Sequence, residues 1–361
     1  MAEDPLSDKG QSNCVSRRSV LAGFGAALGV VGCARISADS SAESRVMDLA
    51  VVRRIKFDVP NYAHRLAWSH DGHRLALGGV LDARLSVWDV NTGSRLPAPG
   101  DQTGGTHALA YSPDGRHLAV ARAPVAARNG GQERYTVSLW DARTGGLVGN
   151  LVEPDQAEIP MIEARFVTFS PDGRYLAVVY GKQVALYALD AGGNARRVLV
   201  TDLRALSCTF RPDGGALVCQ EIGWNPRAVL LRVPDGVVLD AFEGPLATAM
   251  ALSSDGSLLA RAGGERVAIT DTSGQTSVRT VSIEEEAAFV QLSFSADGRW
   301  LAAMSRRRLD IWDTRTWFHS ATLVAQTEHG DLFQDAAFSN GGPLLAVAGG
   351  KVATIWRVPD R

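Results

Sequence analysis

A chain of 361 residues could hold two domains of ordinary size, but repeat architectures and β-barrels exceed that size as single units, so length leaves the domain count open. The 37 basic and 39 acidic residues give a net charge of −2, and only four of the basic residues are lysine, which argues against a nucleic-acid grip built on bulk positive charge. A hydrophobic share of 45%, with 37 glycines and 15 prolines spread along the chain, excludes a disordered polymer, a collagen-like repeat and a long helical rod.

The first segment reads as an address. Ser16-Arg17-Arg18-Ser19-Val20-Leu21 resembles a twin-arginine export signal, with Arg17 and Arg18 as its paired arginines. The apolar run behind it, Ser19 to Gly32, has 14 residues, whereas a spanning helix needs about 20. A removable signal over residues 1–32 is therefore expected in place of a permanent span. The run ends Val30-Val31-Gly32-Cys33, which resembles a lipoprotein cleavage box and implies that Cys33 is acylated and becomes the new N-terminus. Residues 33–50, rich in Ser and Ala with little apolar periodicity, then read as the lipid anchor and a flexible tether.

From residue 51 onward the chain repeats itself. The segments 66–79, 109–122, 167–180, 208–221, 250–263, 292–305 and 336–349 align, each as two apolar strands around an Asp-Gly or Asn-Gly turn. Glycine supplies the positive φ that such a turn needs, and Asp or Asn bonds the local backbone. The turn glycines Gly72, Gly115, Gly173, Gly214, Gly256, Gly298 and Gly341 lie 41 to 43 residues apart except for one interval of 58. A third strand follows each hairpin, ending at Asp89, Asp141, Ala188, Arg232, Thr270, Asp313 and Arg357, and a fourth apolar stretch follows six of them.

Four short antiparallel strands repeated about every 42 residues resemble the blades of WD-repeat β-propellers, with Trp-Asp pairs at 88–89, 140–141 and 312–313. The resemblance implies an all-β, seven-bladed propeller over residues 51–361. The last repeat stops too soon after Trp356 for an outer strand of its own. The alternating run Arg53 to Val59 has the length to fill that place, closing the ring and removing exposed sheet edges. The hydrogen-bonded network of the family is broken here. Asp82 stands six residues before Trp88, but Arg134 and Arg306 take the matching places before Trp140 and Trp312, and Val59 takes the place of the family's His. The chain thus resembles a divergent bacterial member, similar in style to quinoprotein-like propellers outside the cytoplasm.

Motifs for nucleotide loops, haem attachment, calcium loops, zinc proteases and serine nucleophile elbows are missing from the sequence, so no catalytic residue, metal or cofactor is assigned. His70 and His73 bracket one turn, but two ligands are too few for a dedicated metal site. The residues four places before each first-strand aromatic or its equivalent, His64, His107, Arg165, Leu206, Thr248, Val290 and Gln334, should sit where the innermost strands begin, around the mouth of the central channel. His64, His107, Arg165 and Gln334, with Trp224 from the blade-four loop, form the candidate binding face.

Two functions fit. The first is a lipid-anchored, non-catalytic module in the bacterial cell envelope, a monomeric propeller presenting its loop face to a protein or peptide partner and binding no nucleic acid. The alternative is a propeller enzyme, lactonase-like or quinone-cofactor dehydrogenase-like, with its site at the channel mouth. Finally, Cys208 and Cys219 are equidistant from the blade-four turn, which makes them direct cross-strand neighbours and a candidate disulfide.

Overall fold

The computed structural model describes residues 47–56, 63–79, 85–100, 105–122, 137–151, 164–180, 183–222, 226–243, 247–273, 277–282, 289–325 and 332–359. Every regular element among them is a strand. The first, β1 (Ala50–Lys56), precedes the repeats. Blade one is β2 (Ala63–Trp68), β3 (Arg74–Gly79), β4 (Ser86–Asp89) and β5 (Arg95–Leu96), and blade two is β6 (Thr106–Tyr111), β7 (His117–Arg122), β8 (Val137–Asp141) and β9 (Leu147–Asn150). Blade three is β10 (Ala164–Phe169), β11 (Tyr175–Tyr180), β12 (Gln183–Leu189) and β13 (Ala195–Thr201), and blade four is β14 (Ala205–Phe210), β15 (Ala216–Glu221), β16 (Arg227–Arg232) and β17 (Val238–Glu243). Blade five is β18 (Ala249–Leu252), β19 (Leu258–Gly263), β20 (Arg266–Asp271) and β21 (Ser277–Ser282). Blade six is β22 (Phe289–Phe294), β23 (Trp300–Ser305), β24 (Arg308–Asp313) and β25 (His319–Val324), and blade seven contributes β26 (Phe333–Phe338), β27 (Leu344–Gly349) and β28 (Val352–Arg357).

Each of the seven sheets has four strands in chain order, except the seventh, whose order is β1-β28-β27-β26. The first strands of successive blades contact one another around the circle, and β26 contacts β2, so the ring is closed and these strands line its centre. The sequence expectation of an all-β, seven-bladed propeller closed by an N-terminal strand is what the chain forms.

The physical reason lies in the second strands. Leu75-Ala76-Leu77, Leu118 to Ala121 and Leu176 to Val179 are buried along their whole length, because a neighbouring blade covers each face of the sheet. Strands buried on both faces read as continuous apolar runs. Each seam between blades carries its own apolar cluster, such as Leu66, Leu77, Ala346 and Ile355 between blades seven and one. At about 25 cal/mol per Å², these seams are the main force assembling the ring.

The hairpin turns are more elaborate than an Asp-Gly pair. In blade one the Ser69 hydroxyl donates to Asp71 and accepts the Arg74 N–H, the Asp71 carboxylate accepts the His73 N–H, and Gly72 at φ 72° donates to the Ser69 carbonyl. The same serine–aspartate bond recurs at Ser112, Ser170, Ser253 and Ser295. Blade seven departs from it. Gly341 occupies the aspartate place and does not have positive φ, which corrects its assignment as the turn glycine. A Cβ there would overlap the Asp71 carbonyl, so close approach of the blade-one turn is what demands glycine.

Closure begins earlier than residue 51. The Met47 N–H donates to the Ser320 carbonyl of blade six at 3.0 Å, and Met47 and Leu49 pack on the seam between blades six and seven. β1 then pairs with β28, with Ile55 opposite Ala353. The Arg53 guanidinium reaches onward to accepting carbonyls of Val90, Asn91 and Thr92 in blade one. Ten residues thus fasten three consecutive blades.

Candidate functional site

Antiparallel succession gives the ring two unlike ends. The connections from first to second strand and from third to fourth are short and lie at the turn end. Those from second to third strand and from blade to blade lie at the loop end, where the inner strands start.

At that loop end six of the seven inner strands carry a β-bulge. The register slips between Ala63 and Arg65, Thr106 and Ala108, Ala164 and Phe166, Ala205 and Ser207, Phe289 and Gln291, and Phe333 and Asp335. The extra residues are His64, His107, Arg165, Leu206, Val290 and Gln334, six of the seven picked from the sequence by distance to the aromatic. A bulge re-aims its side chains and ends regular pairing, and bulges concentrate beside binding sites. Arg165 is exposed, while His107 and Gln334 are half-buried. The side chain of His64, all of Trp224, and Cys33, Arg17 and Arg18 lie outside the described residues.

The inner strand of blade five has no such slip. There Thr248 donates to the Phe289 carbonyl at 2.6 Å, so it ties blade five to blade six. Blade one is tied to its neighbour in a similar way, through an Arg65 Nε donation to the His107 carbonyl at 2.7 Å.

Sequence reading missed Asp335, the residue after the bulge in blade seven. Its carboxylate accepts the N–H groups of Leu66 in blade one and Ala336 in its own strand, both at 2.9 Å. Burial raises its pKa above the ordinary carboxylate value, and the nearby Arg65 charge and the two N–H donors oppose that rise only in part. A carboxyl where the other inner strands carry Arg65, Ala108, Phe166, Ser207, Ala249 and Gln291 was the available signal. Arg122, at the loop end of β7, stacks over the Trp140 ring at 5.3 Å, and burial lowers its pKa to about 10.

Other sequence candidates resolve into structure. Among the described residues no group of three or more His, Cys, Asp or Glu could hold a metal ion, and His73 pairs with the Asn91 side chain at 3.0 Å. Arg308 bonds the buried Asp310, which also accepts from His319 and Thr322. Cys208 and Cys219 are direct register partners, both buried, and both thiols are free. They fill the place that Leu66 and Leu77 take in blade one, which makes them small apolar fillers of the seam between blades three and four. No helix among the described residues is long and apolar enough to cross a membrane. No protein-family model matches the chain.

Proposed function

We propose that the protein is an exported, lipid-anchored, WD-repeat-like propeller of the bacterial cell envelope that binds a protein or peptide partner at its loop end. The single observation that supports this reading is the run of bulges at the inner-strand starts, in which His107 and Arg165 are the extra residues at matching loop-end positions of adjacent blades. Two cation-capable groups there favour an acidic stretch of the partner. In this reading the propeller is a monomeric scaffold that acts without a cofactor, a catalytic group or nucleic acid. The twin arginines Arg17 and Arg18 supply export, and Cys33 supplies the lipid.

The test is site-specific photo-crosslinking in the living envelope. A photoreactive residue in place of Arg165 should yield a discrete adduct that weakens several-fold when His107 is replaced by alanine. The same residue in place of Arg174 at the turn end should yield none. Equal adducts from both ends, or none from either, would contradict the reading.

A further inference from the structure

The turn end of blades six and seven carries a feature that turn formation does not require. Blades one, two and four place a glycine, Gly93, Gly145 or Gly236, at φ 71° to 72° in the turn before the outer strand. Blade six has Trp317 there, at φ 59°, with its N–H bonded to the Asp313 carbonyl as the Gly93 N–H is to Asp89. Left-handed backbone in a bulky residue costs on the order of 1 to 2 kcal/mol. Such strain is a pointer to function when it is kept. Trp317 packs half-buried against the seam of blades five and six, and Phe318 beside it stands 66% exposed.

The same spot is where the chain joins the propeller. Met47 bonds Ser320, two residues after Phe318, and Val51 and Val52, at 42% and 37% exposed, open β1 at that end. Val52 is the extra residue of a bulge, so the start of β1 is bent out of regular pairing with β28. Phe318, Val51 and Val52 are therefore exposed apolar side chains within five residues of the Met47–Ser320 attachment, at the turn-end edge of blades six and seven. The chain from residue 33 to residue 47 spans at most about 50 Å when fully extended.

The geometry points to this edge as a second membrane contact, with Phe318, Val51 and Val52 resting in the interfacial layer of the bilayer that holds the acylated Cys33. This rests on the lipid anchor proposed above. Aromatic side chains favour the interfacial layer, and a short tether raises the effective concentration of a weak apolar patch enough to keep it docked. The loop end then faces away from the membrane, toward the partner.

The full chain, processed in cells, purified and weighed intact, is reconstituted in phosphatidylethanolamine–phosphatidylglycerol vesicles carrying brominated acyl chains. A fluorophore is attached to a cysteine in place of Phe318, just before β25, or of Val324, at the loop end of β25, while the buried Cys208 and Cys219 stay unlabelled. Bromine should quench the probe at 318 several-fold more than the probe at 324, and Val51→Ser with Val52→Ser should reduce that difference. Equal quenching at the two positions, or stronger quenching at 324, overturns the docking and leaves the anchor intact. So does a concentration-dependent dimer that shields 318 without lipid quenching. A protein whose mass shows no acyl groups and which stays out of the vesicles overturns the anchor and the docking together.

Discussion

Asp335 is the residue on which the loop-end mouth turns. The Leu66 N–H that it accepts joins blade seven to blade one and the Ala336 N–H belongs to its own strand, so Asp335→Ala leaves both donors buried without a partner. The expected loss is about 1 to 3 kcal/mol per stranded group. The sign of the pH effect follows from the direction of the shift. A carboxyl whose pKa is raised on folding contributes stability that is full below the unfolded value and is lost as pH rises through the folded value. Denaturant unfolding of the native chain should show that decline above the ordinary carboxylate range, and the alanine variant should lack it. Asp255, in the blade-five turn, acts oppositely. For Asp255, the Ser253 hydroxyl and the Ser257 N–H hold the pKa below the ordinary value, so its contribution is present at neutral pH and lost only in acid. A native chain with no Asp335-dependent decline would refute the assignment.

The cysteine pair gives a second test at this scale. The hydrogen bond with Cys219, and burial after it, raise the Cys208 pKa, so the thiol is poorly reactive while folded. No thiol should titrate in the folded domain, and two should titrate after unfolding without reductant. If thiols are released only by reductant, the pair is oxidised, an outcome that their opposed register permits.

Among the elements, the adjacent glycines of blade seven predict opposite results. Gly341→Ala forces the turns of blades seven and one apart, because its Cβ meets the Asp71 carbonyl, whereas Gly342→Ala meets nothing within 4 Å and has no positive φ to strain. Thermal unfolding should show the first variant destabilised by about 2 kcal/mol or more and the second neutral or slightly stabilised. Arg53 and Arg54 offer a similar contrast. Losing the three carbonyl contacts of Arg53 should cost about 1 to 3 kcal/mol, while exposed Arg54 should change stability by less than about 0.5 kcal/mol.

These positions also mark what the sequence could and could not show. Strands such as LAVAR and LAVVY were legible because burial on both faces leaves an uninterrupted apolar run, and the glycine turns were legible because positive φ restricts residue choice. The spacing to the aromatics found the bulge residues without revealing the bulges, since one extra residue in a strand leaves no mark in composition. Gly341 was misplaced because its glycine answers to a neighbouring blade more than 260 residues away in the chain. Asp335 and Arg53 escaped for the same reason: their partners are set by ring closure and not by local pattern.

For the whole molecule, closure is the claim from which the rest follows, because the channel mouth and the attachment point beside Phe318 both exist only in a fastened ring. Met47 grips blade six, β1 completes blade seven and Arg53 grips blade one. Without that fastening, β28 becomes an exposed edge and the seam cluster around Ile55 opens. The most direct measurement compares the thermal unfolding of a chain beginning at residue 47 with that of one beginning at residue 57. The first should melt cooperatively at the temperature of the chain beginning at residue 34. The second should melt at least several degrees lower, with loss of cooperativity. Equal melting temperatures for the chains beginning at 47 and 57 would contradict the closed ring.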